Sequence, residues 1–116
     1  MQKVNEKITY TFNELEHVLK ELEIILQSLH RMGSYYGDKF TTYGQEIYQR
    51  EYEEETTRFI DEWYVCERLS KMRQILSERF DDALGDDDMS DLERVLEKVE
   101  YWNKPDDIPK LKNRSL

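Results

Sequence analysis

The stretch FDDALGDDDMSDLE, Phe80 to Glu93, sets seven carboxylates around one glycine. Oxygen ligands at that density suggest a cation loop. A calcium-binding helix–loop–helix needs oxygens at loop positions 1, 3 and 5, a glycine at 6 and a glutamate at 12. Starting at Asp86 supplies Asp86, Asp88, Ser90 and Glu97, but places Asp91 where the glycine must turn and Glu93 at the apolar position 8. Starting at Asp82 places Leu84 at position 3 and Asp87 at the glycine. Both registers fail. A helix boundary accounts for more of the stretch. Ser90 and Glu93 have the S-x-x-E spacing of a capping box, and Asp91 and Glu93 fall in a first turn, where the helix dipole favours negative charge. Asp81, Asp82, Asp86, Asp87 and Asp88 exceed what capping needs. They form a solvated turn, a weak cation site, or a patch for a basic partner.

Three further constellations bear on catalysis. Glu14 and His17 have the Glu-x-x-His spacing of di-iron bundles, which need it twice, with two more glutamates. The only other histidine, His30, has no glutamate three residues before it. Glu51 with Glu54, followed by Glu78 with Asp81, resembles the magnesium motif of all-α nucleotide pyrophosphatases. That resemblance implies carboxylates on neighbouring helices holding Mg²⁺ against a triphosphate. With 26 acidic residues in 116, such pairs also arise by chance. A continuous helix would set the two pairs ~36 Å apart, and a turn near Thr56 would still leave ~30 Å, so only a dimer joins them. Cys66, among Tyr64, Val65 and Leu69, reads as a buried small hydrophobe. No glycine-rich phosphate loop occurs. No catalytic residue, metal ligand or cofactor is expected.

The elements that must position these residues read as helices. Val4, Ile8, Thr11, Leu15, Val18, Leu22, Ile25, Leu29 and Met32 recur at alternating spacings of four and three, with Phe12, Leu19 and Leu26 widening the stripe. The pattern predicts a core-facing helix from about residue 3, ended by Gly33. Thr11 with Glu14 also has capping-box spacing, which would start it later. After a GSYYGDK connection, Tyr36, Phe40, Tyr43 and Ile47 carry a helical stripe that moves to Tyr48, Tyr52, Phe59 and Trp63. The polar QREYEEETTR between allows either one long helix or two meeting near Thr56. Val65, Leu69, Met72, Leu76, Phe80 and Ala83 predict another buried face, stopped by Gly85. A last helix spans Ser90 to about Trp102, with Leu92, Val95, Leu96, Val99 and Trp102 buried, before Pro105 and Pro109 end it. The expectation is an all-α, antiparallel three- or four-helix bundle with a long N-terminal helix over residues 1–104, followed by a basic tail, 105–116, in which Ile108 and Leu111 are able to dock.

Composition narrows the function classes. The net charge of −9 repels nucleic acid and favours a basic protein partner. A DNA mimic would need more charge than this, and the basic tail would interrupt it. No run of ~20 apolar residues suits a bilayer, no signal-peptide pattern opens the chain, and a single cysteine fits a reducing compartment. A cytoplasmic protein without membrane contact is expected. Eight tyrosines and two tryptophans are present, and Tyr48, Glu51, Tyr52, Glu53, Glu54 and Glu55 crowd one segment. Tyrosine contributes large contact area at low entropic cost. In size, charge and segments such as IYQREYEEETTRF, the chain resembles, in general character, bacterial immunity proteins that inhibit a cognate toxin. That resemblance implies a non-catalytic binder of a basic partner such as a toxin nuclease, and carries no site residues with it. The acidic and tyrosine-rich composition itself marks Tyr48, Glu51, Tyr52, Glu53, Glu54, Glu55, Asp82, Asp86, Asp87 and Asp88 as candidate contacts. Phage-type inhibitors of host defence share the same character. A magnesium-dependent pyrophosphatase and a helical bundle without a partner are the alternatives.

Overall fold

The structure, a computed structural model, describes residues 3–105. The tail expected beyond Pro105, with Ile108 and Leu111, lies outside the described residues. All regular structure is helical: a 3-10 turn at Lys3–Asn5, α1 (Phe12–Tyr43), α2 (Gln45–Glu62), α3 (Val65–Glu78) and α4 (Asp91–Leu96), with no strand among the described residues. Two compact units are present. One is Thr9–Arg79, holding α1 to α3; the other joins the segment before Thr9 to the segment after Arg79.

In the first unit, α1 starts at the capping box and not near residue 3. Thr11 is extended (φ −75°, ψ 158°), and its hydroxyl accepts from the Glu14 backbone N–H at 3.1 Å. The Glu14 carboxylate accepts from the Thr11 N–H at 2.7 Å. This satisfies two of the otherwise unpaired N–H groups of a helix start. Gly33 does not end the helix. α1 runs through Gly33 and Gly37 for 32 residues. Each interior glycine costs roughly 0.5–1 kcal/mol relative to alanine. The packing just beyond them offsets that cost. Tyr36 is buried, its hydroxyl donates to Glu51 at 3.0 Å, and its ring lies 5.3 Å from that of Tyr52. The glycine that turns the chain is Gly44, at φ 95° and ψ 142°, a conformation that L side chains rarely adopt.

α2 passes unbroken through Thr56, whose hydroxyl donates back to the Tyr52 carbonyl at 2.8 Å and sits 3.4 Å from the Met32 sulfur on α1. The break falls at Trp63 and Tyr64, the latter in the left-handed region (φ 51°, ψ 47°). A non-glycine residue there costs roughly 1–2 kcal/mol. Arg68 braces the corner: its Nε donates to the Trp63 carbonyl at 2.7 Å, and its backbone N–H donates to Tyr64.

Both α2 and α3 run antiparallel to α1, one after the other. Tyr43, Phe40, Tyr36 and Met32 meet Tyr48, Tyr52 and Thr56 on α2. Further toward the start of α1, Glu21 pairs with Arg68 at 2.6 Å, the Tyr10 hydroxyl donates to the Leu76 carbonyl at 2.7 Å, and Glu14 pairs with Arg79 at 2.8 Å. The 18 residues of α2 and the 14 of α3 together match the 32 of α1. Along most of its length this unit is therefore two helices thick.

That thinness corrects the expected core. Tyr36, Phe59, Val65 and Met72 are the buried apolar residues among those described. Leu69 and Leu76 of the expected α3 face are exposed, as are Phe12, Leu15, Leu19, Leu22, Leu26 and Leu29 of the expected core-facing stripe. α3 stops at Glu78 and does not reach Gly85. α4 covers only Asp91–Leu96, after which Val99 N–H bonds to Leu96 in a tighter turn, and Val95, Val99 and Trp102 lie exposed instead of forming a buried face.

The three α1–α2 glycines make a signed prediction. Gly33→Ala and Gly37→Ala meet no atom within 4 Å and should each stabilise the chain by about 0.5–1 kcal/mol. Gly44→Ala, at positive φ, should destabilise it by roughly 1 kcal/mol. Thermal or urea melts of the three variants check the sign change.

Candidate partner-binding surfaces

The first candidate surface is α2. It carries seven carboxylates against two arginines, a net −5, whereas α3 carries two carboxylates against three bases, a net +1. Over half of the chain's −9 is thus concentrated on one helix. Not all of it is equally available. Glu51 accepts the Tyr36 hydroxyl, and burial together with that carboxylate pushes the Tyr36 phenol up to about 12. Glu54 pairs with Arg50 at 3.0 Å, Glu55 with Arg58 at 2.6 Å, and Glu53 accepts from Gln49 at 3.0 Å. These exposed i,i+3 and i,i+4 contacts are weak and exchangeable. Glu53, Glu54, Asp61 and Glu62, with Thr57 and Arg58, edge a shallow depression of about 460 Å³ on the outer side of α2.

Tyr48 and Tyr52 are engaged at the turn between α1 and α2. Tyr52 packs between Tyr36 (5.3 Å) and Phe40 (5.9 Å, edge-on), and Tyr48 lies 5.8 Å from Tyr43. Lys39 sits 5.4–5.5 Å from the rings of Tyr35, Tyr43 and Tyr48, in reach for cation–π attraction. The tyrosine-rich segment is thus an aromatic cluster that closes the far end of the hairpin.

The second candidate surface, Asp82 to Asp88, belongs to the other unit. There the backbone of Gly85 to Met89 closes a turn: Gly85 N–H donates to the Met89 carbonyl at 2.9 Å and Asp88 N–H to Gly85 at 3.1 Å, with Asp88 at φ 60°. Asp82, Asp86 and Asp88 are exposed. Asp87 is clamped: Arg94 donates to both its oxygens, at 2.6 and 3.0 Å, which holds the carboxyl down at about 2. The same guanidinium donates to Asp91 at 2.6 Å and to the Met89 carbonyl at 2.9 Å. Asp91 is buried, at 1% exposure, and also accepts from Asn5 Nδ2 at 2.9 Å. Asn5 in turn exchanges hydrogen bonds with the Asp81 backbone, donating to its carbonyl at 3.2 Å and accepting from its N–H at 2.8 Å. The capping box at Ser90 and Glu93 is present in both directions. Asn5 went unnoticed in the sequence because its partners lie 76 and 86 positions away. No local pattern marks such a pairing.

Within one copy of the chain, the paired carboxylates of the magnesium pattern lie on separate elements. Glu51 and Glu54 lie on α2, Glu78 ends α3, and Asp81 lies beyond it with its carboxylate accepting from the Ala83 N–H at 2.8 Å. No group of three or more His, Cys, Asp or Glu side chains is arranged to hold a metal among the described residues. Cys66 is exposed, not the buried hydrophobe expected. No helix among the described residues is long and apolar enough to cross a membrane. Compared with family models, curated proteins and solved structures, the chain matches none.

Two predictions follow from the ionic clamps. Arg79, through its hydrogen bonds, and the Thr11 N–H hold Glu14 at about 2, below its ordinary 4.5; Arg94 holds Asp87 at about 2, below 3.8. Depressed carboxyls contribute stability above their unfolded values and lose it as pH falls through the folded ones. Melts between pH 5 and about 2 should therefore show a fall in stability that Glu14→Gln and Asp87→Asn, already lacking the charge, show less steeply. Asp91→Ala removes the buried carboxylate that Asn5 and Arg94 share, and should lower the opening free energy around α4 by on the order of 2 kcal/mol, read by hydrogen exchange at Glu93 to Leu96.

Proposed function

We propose that the chain is a non-catalytic binding protein, a helical bundle that docks the outer face of α2 on a basic protein and neutralises it by occlusion. A cytoplasmic, immunity-type inhibitor of a toxin fits this reading. The observation that carries it is the segregation of charge: α2 holds a net −5 while its neighbour α3 holds +1. A surface with that asymmetry steers a basic partner to one helix and accelerates encounter. Its paired glutamates keep their partners through weak surface contacts, so exchanging Arg50 or Arg58 for a partner's lysine or arginine costs little. The exposed Asp82, Asp86 and Asp88 offer a second acidic patch to the same class of partner.

The test is direct. The tagged chain is passed through lysate of its native host, and the affinity of the co-eluting protein is then measured for the native chain and for Glu53→Lys/Glu54→Lys/Asp61→Lys. The reversal should weaken binding at least about tenfold, and raising salt should weaken the native complex in the same direction. A partner held equally tightly by both chains, without salt dependence, would overturn the reading.

A further inference from the structure

We propose that the exposed apolar row of α1 is the seam of a homodimer, in which α1 packs antiparallel on α1 of a second copy and two hairpins complete one four-helix bundle. The inference is independent of the acidic face on α2.

Phe12, Leu15, Leu19, Leu22, Leu26 and Leu29 recur at spacings of three, four, three, four and three, the a/d repeat of a coiled-coil seam. All six are exposed, from 41% at Leu22 to 76% at Phe12. They flank the residues α1 presents to α2 and α3, where Glu14, Val18, Glu21, Ile25, Ser28 and Met32 are half-buried. At 100° per residue, the row lies on the side reached by rotating onward from that contact. Leu69 and Leu76 lie on the same rotational side of buried Met72, and Ile60 of buried Phe59. Because α1 runs antiparallel to α2 and α3, equal rotations emerge on one surface of the hairpin. The row on α1 and the row Ile60, Leu69 and Leu76 therefore share a face.

Three arguments choose a second copy as the occupant. The first is register. A two-fold partner must present each surface to itself. An antiparallel pairing centred between Lys20 and Glu21 sets Phe12 on Leu29, Leu15 on Leu26 and Leu19 on Leu22 of the other copy, with no apolar position left over. The second is the neighbouring row. The Glu21–Arg68 ion pair, at 2.6 Å, puts Leu69 level with that centre, with Ile60 and Leu76 to either side, so the same axis serves both rows. The third is area. The row is about 26 Å long and the hairpin about 20 Å wide, roughly 500 Å² per copy. The total of about 1,000 Å² reaches the lower bound for a specific interface, the range of a weak, micromolar pair.

Sedimentation of the full chain at about 100 µM tests the proposal, a concentration at which a micromolar dimer is saturated. The expected species has twice the chain mass of 14.2 kDa. Leu19→Glu/Leu22→Glu should convert it to monomer with helix content unchanged by circular dichroism. Added salt should hold or strengthen the dimer, because two copies at −9 each repel, whereas a basic partner's complex weakens. Leu19→Cys/Leu22→Cys in a Cys66→Ser background supplies a second readout should the glutamates unfold the chain. It should oxidise to a disulfide-linked dimer. A native chain that sediments as monomer would overturn the proposal. Hydrogen-exchange protection along the row would then assign the face to another segment of the same chain, and lack of protection to a foreign partner. A dimer untouched by the two glutamates would overturn it equally.

Discussion

A long amphipathic helix with only one arm to lie against sets the terms for the Thr9–Arg79 unit. α1 spans about 48 Å at 1.5 Å per residue, and its apolar surface runs from Met32 and Ile25 on one side around to Leu19 and Phe12 on the other. A single antiparallel arm covers only part of so wide a stripe. α2 and α3 follow each other along α1 in place of stacking on opposite sides of it, so the unit gains length and no depth. The small buried core and the long exposed leucine row are two consequences of the same arrangement.

The arrangement also explains where the chain bends. The return arm, as long as α1, divides at Trp63 and Tyr64 without a glycine or proline at the division. The left-handed Tyr64 is retained because Arg68 reaches back to Trp63 and across to Glu21 at once. Gly33 and Gly37, the residues best suited to a turn, lie where Tyr36, Phe40, Tyr52 and Glu51 reward helix on both arms. Glycine permits a turn; the position of the aromatic cluster decided that it was taken seven residues later, at Gly44.

This difference marks how far the sequence could be read. The all-helical class followed from periodicity, and the Thr11–Glu14 and Ser90–Glu93 boxes were legible because a cap is a local bargain between residues three apart. Helix ends that depend on distant partners were not: the break at Tyr64, the early stop at Glu78 and the shortened α4 have no signature within a few positions. Burial was misread for a related reason. Periodicity shows that a helix has an apolar face, but not how many neighbours arrive to cover it. The acidic segments were visible by composition, yet composition could not separate exposed Asp82, Asp86 and Asp88 from Asp87, clamped by Arg94, or from Asp91, buried on Asn5. Those distinctions rest on which donor, the Arg94 guanidinium or the Asn5 amide, lies within hydrogen-bond reach.

The two exposed chemistries of the hairpin oppose each other in a useful way. The carboxylates that edge the outer depression of α2, Glu53, Glu54, Asp61 and Glu62, gain from a basic surface, an attraction that salt screens. The leucine row lies across the α1–α3 half, where α3 carries a slight positive charge, and gains from water exclusion, which salt does not weaken. Like charge concentrated at the α2 end would push two copies apart if they met there. An antiparallel pairing centred near Glu21 places the two α2 helices at opposite ends of the assembly instead, which keeps the repulsion small and leaves both acidic faces open. Separation of charge along the hairpin thus lets one surface associate with its own kind without occupying the surface suited to a partner of opposite sign.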